Sequence, residues 1–167
     1  MGDAILVLSD DNILTFLHPW VKKTAREHHW IIQIVAAICN LVGFVIKIVE
    51  KNINGRGHFL SDHAIVGLVA IILSYVAATG GISTLYAAKL KDWVKPSYIK
   101  LTHTIIGMVT FVLGVAAQAT GLVKLYKDPS DDTGTICIVL LAFAAFVVLE
   151  GSVRHACSRI NKTIFLR

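Results

Sequence analysis

Charge is what this chain has least of. Asp, Glu, Lys and Arg together make up 16% of its 167 residues, against about a quarter in ordinary soluble domains. Three cysteines, Cys39, Cys137 and Cys157, are too few and too scattered for a disulfide framework or a thiolate metal site. Two of them fall in apolar runs, where cysteine acts as a small apolar residue. The opening stretch "MGDAILVLSDDNILTFLHPW" has no basic start and no cleavage site, and Asp3 interrupts its short apolar run, so it reads as neither a secretory signal nor a span. It reads as the tail of a helix, followed by a connection through residues 10–26 that Pro19 breaks.

What the chain does have is long apolar runs. Hydrophobic residues are 55% of the sequence, and mean hydropathy is +0.68. Four stretches, residues 30–49, 64–85, 104–125 and 135–153, reach the roughly 20 apolar residues that a bilayer requires. Inside lipid every backbone group needs an internal partner, so these stretches must be helices. The expected fold is an all-α membrane protein, a bundle of four transmembrane helices plus the tail of a fifth. With the start of the first span taken as inside, the inner segments hold eleven Lys and Arg residues, from Lys22, Lys23 and Arg26 to Arg167, and the outer segments four. The positive-inside rule then places that end, and the C-terminus, in the cytosol. This placement accounts for the net charge of +5 without a nucleic-acid partner.

Three histidines open three of these spans in one register. Steps of four and three residues lead from His29 to Gln33, Ala36, Asn40, Gly43 and Lys47; from His63 to Gly67, Ala70, Ser74, Ala77 and Gly81; and from His103 to Gly107, Thr110, Gly114, Ala117 and Gly121. Such spacings share one helix face. Each helix therefore carries a histidine above a stripe of mostly small residues. Stripes of this kind permit close helix packing. They also leave room for a flat macrocycle, and neutral imidazole is a standard axial ligand of haem iron. His29 and His103 begin parallel spans at the cytosolic end, so they share a depth and are a candidate pair for one iron. His63 opens the intervening antiparallel span and belongs to a second site, on the order of 20 Å away. Two imidazoles on one iron leave no open position, which suits electron transfer. A histidine pathway for protons or a metal without haem is the other reading, and it lacks ionisable intermediates between the two ends.

The stretches "HHWIIQ" (28–33), "GRGHFLSDHAIVGL" (55–68), "TGGISTLY" (79–86) and "IKLTHTIIG" (99–107), in this order and spacing, resemble the cytochrome b561 family. "GDAILVLS" (2–9) is similar to the end of that family's second helix. The resemblance covers nearly the whole chain as a single domain, residues 1–167. It implies part of a six-helix core with two b-type haems, each held by two histidines. His29 and His103 match the cytosolic pair, and His63 matches one ligand of the outer haem. The resemblance further implies an N-terminally incomplete chain without the first helix and most of the second, so His63 lacks its partner and one haem site is fully ligated. His18 lies on the wrong side to replace that partner. The implied activity is an oxidoreductase that carries electrons from cytosolic ascorbate across the membrane to monodehydroascorbate or a ferric chelate. An endoplasmic reticulum or endomembrane location and a homodimer are consistent with it. The alternative is a non-catalytic chain that associates with full-length family members.

Lys22, Lys23 and Arg26 precede His29 by one to two helical turns. They form a candidate rim for anionic ascorbate, with Arg26 matching a basic residue of the family at that offset; the same residues also serve the positive-inside signal. Lys95 and Lys100 are weaker candidates from the opposite loop. Lys47 either neutralises an anion at the outer end or snorkels to the interface. His28, about a hundred degrees round the helix from His29, reads as interfacial. His58 is a candidate contact for the outer acceptor or a solvated loop residue. The last span has no histidine in register. Glu150 and Arg154 are four apart and suited to pair, which makes it an outer packing helix.

Overall fold

The computed structural model describes residues 21–126 and 132–161, with side chains from His28 onward. Among the described residues the regular structure is helical: α1 (Val21–Ile53), α2 (Asp62–Leu85), α3 (Pro96–Leu125) and α4 (Asp132–Ile160). All four are long and apolar enough to cross a membrane. Each extends past the apolar window expected for it, because the helical hydrogen-bond ladder continues into the polar residues at the membrane surface. The fold is that of an all-α membrane protein. The candidate helix tail at residues 2–9 and His18 lie outside the described residues.

Local chemistry explains where the helices start. Ser61 has extended backbone angles, and its Oγ accepts from the Ala64 N–H at 3.4 Å, which caps α2. This cap puts His63 on the first turn. Pro96 opens α3, where a missing N–H costs nothing. Between α1 and α2 the chain turns tightly through Gly55 (φ 60°) and Phe59 (φ 53°). The turn is tied back to α1 by Lys51 Nζ donating to the Gly57 carbonyl at 2.9 Å and by the stacked rings of Phe44 and Phe59.

The core is the antiparallel pair α2–α3. Ala70, Ser74 and Ala77 are buried on one helix and Leu101, Thr110 and Ala117 on the other. These are largely the small stripes below His63 and His103, and here they face each other. Helix α4 packs along α3 through Ala145, Val148, Ser152 and Ala156. Its first turn comes so close that a Cβ on Gly134 would lie 2.6 Å from the Tyr126 Cβ. Helix α1 sits more lightly on the rest, with none of its described side chains fully buried. The Tyr75 hydroxyl on α2 donates to the Ala37 carbonyl of α1 at 3.1 Å. The stripe residues Gln33, Ala36 and Asn40 line a narrow cleft opposite Ser74 and Ala78.

Candidate functional site

The Tyr75–Ala37 bond sets the depth of α1. Eight residues back from Ala37 is His29, and eight on from Tyr75 is Ser83, beside Gly81. From the other side, His103 on α3 reaches the same level of α2: a Cβ on Gly81 would stand 3.4 Å from the His103 Cε1, and one on Gly80 3.5 Å from its Nδ1. The two histidines therefore meet. Their ring centroids are 6.4 Å apart and their planes nearly perpendicular, at 88°.

His63 is seated in the mirror arrangement at the opposite end of the pair. Its Nδ1–H donates to the Ala117 carbonyl of α3 at 2.7 Å. A Cβ on Gly121 would come within 3.0 Å of its ring. A carbonyl only accepts, so Nδ1 carries a proton, and in the neutral ring Nε2 is then the nitrogen with a lone pair for a metal. Such a bond to the far nitrogen is the usual way a protein orients a ligating imidazole. The His103 ring lies against Gly80 and Gly81 of α2, and its Nδ1 is buried without a hydrogen-bond partner. Each ring is received eighteen residues beyond the receiving helix's own histidine, at Gly81 on α2 and at Gly121 on α3. The pair is thus related by an internal two-fold, and its two histidine sites lie on the order of 20 Å apart.

Among the described residues no group of three or more His, Cys, Asp and Glu side chains gathers into one cluster. A bare metal ion needs several protein ligands, whereas a haem brings four of its own and takes two axial ones. A model of eukaryotic cytochrome b561 matches residues 1–127. The chain belongs to the cytochrome b561 family. Its relatives include Transmembrane reductase CYB561D2 from Homo sapiens, Bos taurus and Mus musculus, at 32%, 31% and 30% identity over 93 residues. Those residues are 56% of this chain and 41% of each relative, so the chain matches well under half of the relatives' length. No solved structure matches it significantly.

Cytochrome b561 proteins bind haem, and the paired histidines fit that group. A metal–imidazole bond is about 2 Å long, so two imidazoles facing one another across an iron place their ring centroids about 6 Å apart. His29 and His103 stand at 6.4 Å, and the His103 Nδ1 is buried without a hydrogen-bond partner.

The other sequence-derived positions divide. Helix α1 runs back to Val21, so the backbone of Lys22, Lys23 and Arg26 is on the two turns before His29; their side chains lie outside the described residues. Lys47 pairs with Glu50 at 2.9 Å, and Arg56 meets the same carboxylate at 3.5 Å. His58 Nε2 bonds Asn52 Oδ1 at 2.8 Å, and its ring lies by Phe59. His28 is exposed. Arg154 pairs with Glu150 as its spacing suggests. Near the C-terminal end of α4 the Arg159 Nε–H donates to His155 Nε2 at 2.7 Å.

Proposed function

We propose that this cytochrome b561 chain carries single electrons across a membrane. His29 and His103 hold one b-type haem at the cytosolic end. His63 would supply one ligand of a second haem at the opposite end, with a further ligand needed to complete it. The group, when bound, accepts and releases one electron, and two imidazole ligands leave oxygen no coordination position. The chain's residues do the rest. The small faces of α2 and α3 hold the two histidine sites at fixed depth, and the cleft residues Gln33, Ala36 and Asn40 keep α1 alongside. Lys22, Lys23 and Arg26 concentrate anionic ascorbate as the donor. The acceptor across the membrane is monodehydroascorbate or a ferric chelate, in an endomembrane compartment.

The observation that carries this reading is the approach of His29 to His103. It is tested by haem content and reduced-minus-oxidised spectra of the detergent-purified chain. The wild type is expected to show a bis-histidine b-type signal that ascorbate reduces. His29→Ala and His103→Ala lose the cytosolic signal, and His28→Ala retains it. Unchanged spectra in both ligand variants would falsify the pairing. A haem-free wild-type chain that co-purifies with a longer family member would favour an associating, non-catalytic subunit.

A further inference from the structure

The path of α2 does not stop at Leu85. The Tyr86 N–H donates to the Ile82 carbonyl at 3.3 Å, the Leu90 N–H to the Tyr86 carbonyl at 3.1 Å and the Val94 N–H to the Leu90 carbonyl at 2.9 Å. The chain thus continues in one-turn steps until Pro96 opens α3. Residues four apart in such turns share a side. Ile82, Tyr86, Leu90 and Val94 therefore form one row, and all four are exposed. Trp93, beside Val94, is 89% exposed, more than any other large apolar side chain among the described residues. The segment is nonetheless fixed to the bundle, because Ala87 within it is buried.

Depth and charge together say what covers this row. Helix α2 has 24 residues, about 36 Å of helix, whereas the hydrocarbon core of a bilayer is about 30 Å thick. The helix has therefore left the hydrocarbon by residue 86. Residues 86–95 lie at headgroup depth, where the Trp and Tyr residues of membrane proteins concentrate. Lys89, Lys91 and Lys95 are exposed on the same segment, and Asp92 is its one acid. Lys89 Nζ stands 5.4 Å from the centre of the Tyr86 ring, which sets a charge directly beside the apolar row. An apolar row edged by lysines is the pattern of a segment that lies in the membrane surface, with its rings among acyl chains and its ammonium groups at phosphates. Three lysines against one aspartate are complementary to acidic phospholipid.

We propose that residues 86–95 bind the surface of an anionic bilayer, with Tyr86, Leu90, Trp93 and Val94 set among the acyl chains and Lys89, Lys91 and Lys95 at the headgroups of acidic phospholipid. The proposal needs the four spans and does not depend on haem. The experiment uses the full chain in lipid nanodiscs, whose two faces are both open, so the direction of insertion does not enter. Trp20→Phe and Trp30→Phe together leave Trp93 as the one tryptophan. Should that double replacement not fold, the difference between wild type and Trp93→Phe reads the same quantities. In discs of brominated phosphatidylcholine, Trp93 is expected to be quenched by the bromine and shielded from aqueous iodide. Energy transfer from Trp93 to acyl-labelled phosphatidylserine, compared with acyl-labelled phosphatidylcholine, reads the preference for acidic lipid. That preference is expected to fall about fivefold in each of Lys89→Gln, Lys91→Gln and Lys95→Gln, the scale of one charge at a membrane surface. Lys124→Gln, at the other end of the bundle, is expected to leave it unchanged. Quenching by iodide and not by bromine overturns the proposal. Equal transfer to both labelled lipids, or a preference that the three lysine variants leave unchanged, overturns it too. A raised KM for ascorbate in variants of that last kind assigns the lysines to the reductant instead.

Discussion

A histidine ring that points from one helix into another needs a place where the second helix has no side chain. At His63 that place is Gly121, where even a methyl group would come within 3.0 Å of the ring. At His103 it is Gly81, with more room at 3.4 Å. The two glycines should therefore differ in tolerance. Gly81→Ala is expected to keep the haem signal of the His29/His103 end, and Gly81→Val to lose it by pushing His103 aside. Gly121→Ala already overfills its site and costs about 1–3 kcal/mol of stability, visible as a lower Tm in detergent; an unchanged Tm would show that His63 is not seated there. Much of this was legible in the sequence. Equal spacing below three histidines, combined with span direction, was enough to bring His29 and His103 to one depth. The Ala117 carbonyl was not legible, because every residue has a carbonyl and only the fold selects one.

At the level of helices, the small stripes serve two purposes that spacing alone cannot separate. On α2 and α3 they face each other, with Thr110 almost wholly buried at 2% exposure and its hydroxyl bonded to the Ile106 carbonyl at 2.8 Å. On α1 the stripe lines a cleft. Enlarging a residue has opposite consequences in the two settings. Ala117→Leu wedges α2 from α3 and is expected to cost about 1–3 kcal/mol and to disturb both ends of the pair. Ala36→Val occupies cleft space and is expected to leave Tm nearly unchanged. Thermal melts of the two variants decide it, and equal destabilisation would mean that α1 packs as tightly as its neighbours. A bond from Tyr75 to Ala37 ties α1 to α2. Tyr75→Phe should cost about 1 kcal/mol.

For the whole molecule, the internal two-fold relating α2 to α3 has a consequence for membrane insertion. An antiparallel pair that looks alike from both ends carries little information about which end is which. Its direction must come from its surroundings. The segment between α2 and α3 together with the start of α3 contains Lys89, Lys91, Lys95 and Lys100, whereas the end of α1 and the turn after it have Lys51 and Arg56, both engaged by neighbouring groups. With a membrane-impermeant thiol reagent on sealed microsomes, Lys91→Cys in a cysteine-free background is expected to label from the cytosolic side and Asn54→Cys only after permeabilisation. Replacing the four lysines by Gln should yield a mixed population in which each position labels partly from both sides. In the inverted molecules α1 still delivers His29 to His103. A chain inserted backwards would be internally intact and open to the wrong compartment, so polarity here is a property of a few loop lysines and is separable from the architecture they orient.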